Sequence, residues 1–109
     1  MKTEELGMAI VAAPGDTAGA IARAIVESKL AACAQVTSEV TSLYWWKGRI
    51  EEARERLIVL KTDRSRIDSI RNLLKRVHPY EVPELVFLPI VAGNPDYLAW
   101  LSDVLVKKI

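Results

Sequence analysis

With 15 Lys and Arg against 14 Asp and Glu in 109 residues, the chain has a formal charge of +1, and half of it is apolar. That balance excludes a protein directed at a polyanion such as DNA or an anionic membrane. The length leaves room for a single domain, residues 1–109, whose core is workable but thin. Cys33 is the only cysteine, so an intrachain disulfide, a zinc cluster and a CxxC redox pair are all excluded, and a reducing compartment fits. Lys2, Glu4 and Glu5 precede a short apolar run, Met8 to Ala13, that ends at Pro14-Gly15-Asp16; these are the wrong flanks for a signal peptide. No segment approaches a membrane span. A cytoplasmic protein with no membrane partner is expected.

In chain order, Leu6 to Ala13 is predicted as a buried strand closed by Pro-Gly. Asp16 or Thr17 offers an N-cap, and Ile21, Ala22, Ile25 and Val26 follow at helical spacing, fading near Lys29. From Ala32 to Trp46 the residues turn β-branched and aromatic. Lys47-Gly48 then breaks the run with a glycine suited to positive φ, and a second strand continues from Ile50 to Thr62, making a hairpin. Ser65 and Asp68 have capping-box spacing, and Ile67, Ile70, Leu74 and Val77 mark one helical face that Pro79 stops. Glu84 to Val91 is predicted as a last strand, with Pro89 placing it at an edge or a bulge. Asn94-Pro95 opens a terminal helix through Tyr97, Leu98, Leu101, Val104 and Leu105.

The order β-α-β-β-α-β plus a terminal helix predicts an α+β, ferredoxin-like split βαβ sandwich, with helices on one face of an antiparallel sheet. A strand from Arg49 to Thr62 would span roughly 45 Å at ~3.3 Å per residue, against a radius of gyration of about 13 Å for a domain of this size. Such a strand must bend, bulge or protrude, and Tyr44, Trp45 and Trp46 near its tip need cover. Another copy of the same chain is the simplest cover, so a homo-oligomer is expected.

Chemistry-bearing residues are few. His78, the only histidine, opens His78-Pro79-Tyr80-Glu81-Val82-Pro83-Glu84, where two prolines stiffen a loop carrying an imidazole and two carboxylates. Such a set suits zinc, copper or nickel; alternatively His78 caps the preceding helix and the prolines shape the turn. Cys33, among small residues, is either a buried hydrophobe or a metal- or redox-sensing thiol. Tyr44, Trp45 and Trp46 either stack on a ligand or anchor an interface. Glu51, Glu52, Arg54, Glu55 and Arg56 have the mixed sign of a solvated or intersubunit strand face. No Ser or Thr has an evident activating base beside it, which argues against an enzyme. RNA recognition is excluded because Lys47-Gly48 leads into Arg49-Ile50-Glu51-Glu52, acidic and without stacking aromatics.

From Ile10 to Leu101 the chain resembles the CutA-type divalent-cation tolerance family. The resemblance rests on Leu30-Ala31-Ala32-Cys33, on Thr41-Ser42-Leu43-Tyr44-Trp45-Trp46-Lys47-Gly48-Arg49-Ile50-Glu51, and on Lys61-Thr62. It continues through the His78-to-Glu84 loop, Leu88-Pro89-Ile90, Gly93 and Tyr97-Leu98-Ala99-Trp100. It implies a non-catalytic homotrimer with the long hairpin, including Tyr44, Trp45, Trp46 and Arg49, across the subunit boundary. It also implies a link to divalent cations, Cu²⁺ in particular, with His78, Glu81, Glu84 and Cys33 as the candidate ligands. Some bacterial relatives carry a Cys where this sequence has Val11 and a second His where it has Val77, so the resemblance implies a weaker metal site here, or one shared between subunits. The trimer is similar to that of PII signalling proteins. This gives the alternative of a scaffold or small-effector-binding regulator with no physiological metal site.

Overall fold

The computed structural model describes residues 5–106; the charged flank Lys2 and Glu4 lies outside the described residues. The element order is β1 (Leu6–Pro14), α1 (Ala18–Glu27), β2 (Cys33–Val36), β3 (Val40–Trp46), β4 (Arg49–Asp63), α2 (Ile67–Val77), β5 (Val86–Pro89) and α3 (Pro95–Val106). The sheet is antiparallel in the order β2-β4-β1-β5, with β3 pairing β4 beyond the end of β2. This is the expected ferredoxin-like arrangement with a long central hairpin and an added C-terminal helix.

Alternation along the strands decides where the core sits, because residues two apart share a face. Ala9, Val11 and Ala13 of β1 and Ile58 and Leu60 of β4 are buried under Ile21 and Ile25 of α1 and Ile70, Leu73 and Leu74 of α2. Leu6, which by alternation points the other way, packs instead with Leu101 and Leu105 of α3. The helices therefore do not all lie on one face, as the sequence pattern predicted: α3 covers one end of the second face. The rest of that face stays open. Val86 and Leu88 of β5 pair with Ile10 and Met8 and are exposed there.

The single strand expected from Ala32 to Trp46 is two strands. Val36 faces Ile58 and Val40 faces Glu55, so Thr37, Ser38 and Glu39 stand opposite only Arg56 and Leu57. This is a β-bulge. Thr37 holds it: its N–H donates to the Leu57 carbonyl, its Oγ1 accepts the Leu57 N–H at 2.9 Å, and its carbonyl accepts from Arg56 at 3.1 Å. Beyond the bulge β3 and β4 run on as a two-stranded arm. Their turn has φ of 51° at Lys47 and 82° at Gly48, the pair of positive values that a two-residue hairpin turn requires. The arm stretches the molecule to 44 × 28 × 23 Å and its radius of gyration to 14.5 Å.

Smaller departures have local causes. The Ser65–Asp68 capping box does not form, because the Ser65 hydroxyl donates to Asp63 at 2.6 Å within a 3₁₀ turn, Arg64–Arg66, that precedes α2. Val77 is exposed at the last turn of α2, where none of the described elements packs over it, although Pro79 ends the helix as expected. The last strand is shorter than Glu84 to Val91, and Pro89 closes it on the sheet edge, where a missing N–H costs nothing. Asn94 does cap α3: its Oδ1 accepts the Asp96 N–H at 3.0 Å.

Candidate functional site

The bend after α2 brings His78 back against the sheet. As the residue before proline it is extended, φ −86° and ψ 136°, and its ring turns under the loop, leaving it 7% exposed. The Tyr80 backbone N–H donates to Nδ1 at 3.1 Å, which places the ring proton on Nε2, and Nε2 donates to the Ala12 carbonyl of β1 at 2.8 Å. Both ring nitrogens are thus engaged. His78 is the C-cap residue of α2 as expected, but through its backbone N–H, which donates to the Leu74 carbonyl at 2.8 Å, while its side chain ties the loop to β1.

The next ring along, Tyr80, lies 4.8 Å from the imidazole, and its hydroxyl donates to Glu55 Oε2 at 2.7 Å. Burial, and then the Glu55 carboxylate, push the Tyr80 phenol above its ordinary value of 10.0. Of the two readings of the charge run, a solvated or an intersubunit strand face, the solvated one fails at Glu55, which is 4% exposed. It sits where β4 leaves the main sheet, facing Val40 on one side and Pro14 on the other. Sequence reasoning missed Glu55 and Tyr80 as a pair; no local pattern links positions 25 residues apart.

Register divides the hairpin aromatics between two faces. Tyr44 pairs with Glu51 and Trp46 with Arg49, on the Glu55 side, and both rings turn toward the Tyr80 loop. Trp45 pairs with Ile50 and Leu43 with Glu52 on the opposite face. There Trp45, Leu43 and Ile50 are 73%, 66% and 61% exposed. On the first face Tyr44, Trp46, Tyr80, Glu81 and Val82 line a cavity of about 230 Å³. It adjoins one of about 140 Å³ that Glu55, Glu84 and Ala12 help to line.

The proposed metal ligands do not meet within one subunit. Glu81 and Glu84 are exposed on the loop, while Cys33 begins β2 opposite Lys61. Ala12, the contact of His78, lies opposite Leu57, so two strands and four residues separate the two sites, roughly 16 Å from the sheet spacings. Cys33 Sγ is half-buried 3.7 Å from the Tyr97 hydroxyl, whose phenol is raised by burial and then by the thiol. Among the described residues no group of three or more His, Cys, Asp or Glu is arranged to hold a metal ion. None of the described helices is long and apolar enough to cross a membrane.

Comparison with known proteins matches nearly all of this architecture. The family model described as CutA1 divalent ion tolerance protein matches residues 8–104. A CutA homologue of Xenopus laevis is 48% identical over 100 residues, covering 91% of this chain and 66% of its own length. The divalent-cation tolerance protein CutA of Thermus thermophilus is 42% identical over 88 residues, covering 81% of this chain and 85% of the relative. Among solved structures, CutA1 from Oryza sativa superposes with a TM-score of 0.89 at 33% identity, over 98% of this chain and 100% of that one. The Thermus thermophilus structure gives 0.84 at 39% identity, over 88% and 94%. The chain spans 54% to 66% of the animal relatives' length, so it corresponds to part of those proteins.

Proposed function

The chain belongs to the CutA1 divalent ion tolerance family, and on that premise we propose that it works as a cytoplasmic homotrimer, without catalytic activity, in the tolerance of divalent cations. The observation that carries the assembly is the bare hairpin face of Leu43, Trp45 and Ile50, together with a second exposed apolar patch, Val86 and Leu88, on the opposite face of the sheet. Apolar surface of that extent on an arm two strands wide is an interface in search of a partner, and a second copy is the partner always present. The number three comes from the family resemblance, with Tyr44, Trp45, Trp46 and Arg49 at the boundary; the exposed faces argue for self-association. Mass measurement by light scattering tests it. The 12.1 kDa chain is expected at about three times that mass, and Trp45→Ala should dissociate it at low concentration, since truncating a buried interface aromatic costs ~2 kcal/mol or more. A wild-type monomer at micromolar concentration would sink the assembly.

The metal role is a narrower matter. Because both His78 nitrogens are engaged, the reading favoured here is a regulator or scaffold whose clefts take a small effector, with the His78 loop serving as structure. The competing reading is Cu²⁺ or another divalent ion held by His78, Glu81, Glu84 and Cys33 drawn from more than one subunit. Calorimetric titration of wild type and His78→Ala with Cu²⁺ separates the two. Saturable binding lost in His78→Ala supports the metal site, and equal behaviour of the two proteins supports the structural loop.

A further inference from the structure

Two carboxylates on β4 are nearly inaccessible, and the fold treats them differently. Asp63, 2% exposed, receives Arg66 at 2.6 Å and the Ser65 hydroxyl, so its charge is balanced in place. Glu55 has no such balance: among the described residues none of the ion pairs involves it, and its one described hydrogen bond is the Tyr80 hydroxyl on Oε2. Burying a carboxylate without a cation is costly. A fold tolerates it where the counter-charge arrives from outside.

The space beside Glu55 has the shape for such an arrival. The cavities of about 140 and 230 Å³ share Tyr44, Tyr80 and Val82 and form one recess with two lobes. Glu55 closes the inner lobe, Glu81 and Glu84 stand on the rim, and the rings of Tyr44, Trp46 and Tyr80 make the walls; among the described residues no Lys, Arg or His lines either lobe. Aromatic faces attract a cation that keeps a carbon body, by about 0.5–2 kcal/mol per contact. They cannot replace the hydration shell of a bare divalent metal, which needs several oxygen, nitrogen or sulfur donors. An anion would meet only like charge.

We propose that this recess binds a small protonated amine, its ammonium on the Glu55 oxygen that Tyr80 leaves free and its carbon chain between Tyr44, Trp46 and Tyr80. The proposal rests on the reading that a cleft, and not His78, holds the effector, and it supplies that effector's chemistry. The same ammonium could belong to a lysine of a neighbouring copy, a source that the experiment separates.

The test is calorimetric titration of the assembled protein with propylammonium, with propanol as neutral and propionate as anionic counterpart, alongside light scattering of each sample. Propylammonium should bind saturably, propanol about tenfold more weakly, and propionate not at all, given what a charge-assisted hydrogen bond contributes. Glu55→Gln should lose about tenfold in affinity for the amine. Should that variant fail to fold, Glu84→Gln on the exposed rim should fold and still weaken the amine by about two- to threefold. Equal binding of propylammonium and propanol, or an unaltered affinity in Glu55→Gln or in Glu84→Gln, overturns the proposal. So does binding seen only after Trp45→Ala has dissociated the protein, because a neighbour's side chain would then already fill the recess. Failure of the assembly shows separately in the scattered mass, and failure of the cleft reading in Cu²⁺ binding that His78→Ala abolishes.

Discussion

Strand β4 passes through two environments within 15 residues. From Glu55 to Asp63 it pairs with β1, and over Ile58 to Lys61 with β2 as well, and Ile58, Leu60 and Thr62 are fully buried on its helix-covered face. From Arg49 to Arg54 β3 is the one strand described beside it; its Ile50 face is bare, and its other face looks across the recess to the Tyr80 loop. The composition changes with the environment, from Leu57-Ile58-Val59-Leu60 to Arg49-Ile50-Glu51-Glu52. A two-stranded ribbon by itself is marginal in water. The inner half thus stands on the subunit's own core, whereas the arm has only its turn, its ladder and whatever docks on it. Ile58→Ala breaks the inner half. A cavity at a fully buried isoleucine costs about 2–5 kcal/mol, and urea denaturation should show that loss as a lower midpoint for the whole subunit. A change below about 0.5 kcal/mol would mean that the core is not where the two halves of β4 differ.

The junction between the halves is the Tyr80–Glu55 contact, and Tyr80→Phe removes it while keeping the ring. A hydrogen bond to a charged acceptor contributes about 1.5 kcal/mol, so the variant should unfold at slightly lower denaturant. The pH dependence gives an independent handle. Burial and then Glu55 hold the phenol above its ordinary value of 10.0, so the folded state keeps its proton where the unfolded chain has lost it. The contribution is complete below pH 10 and falls away as pH rises from there toward the folded value. Wild type should therefore lose stability more steeply with alkali than Tyr80→Phe. Parallel curves would show that the phenol does not join arm to core.

Much of this fold was legible because its signals are local. Pro14-Gly15, Lys47-Gly48, Pro79 and Asn94-Pro95 each act on their own backbone, and the elements they bound appear where expected. What was not legible depends on partners distant in sequence. Thr37 breaks the second strand only because Leu57 and Arg56 stand opposite it. Ser65 abandons its capping box because Asp63 takes its hydroxyl. Glu55 reads as one more member of a charge run until Tyr80 closes over it. The candidate site divided in the same way. The His78 loop was visible as a motif, but the engagement of both its nitrogens belongs to Ala12 and to the loop's own backbone.

The smallest expected effect is also the sharpest test of the arm's independence. Gly48 holds φ of 82° at the exposed tip, and a Cβ there would meet nothing within 4 Å, so Gly48→Ala introduces backbone strain and no clash. Strain of this kind costs about 1 kcal/mol. If the arm opens separately from the core, hydrogen exchange should speed up at the amides of β3 and of Arg49–Arg54, while those of β1 keep their protection. The arm's own opening free energy would then fall by the whole cost of the turn, and global stability by little. Uniform acceleration across both halves would show instead that β4 transmits the loss along its length. The hairpin would then be a continuation of the core and not an arm awaiting a partner.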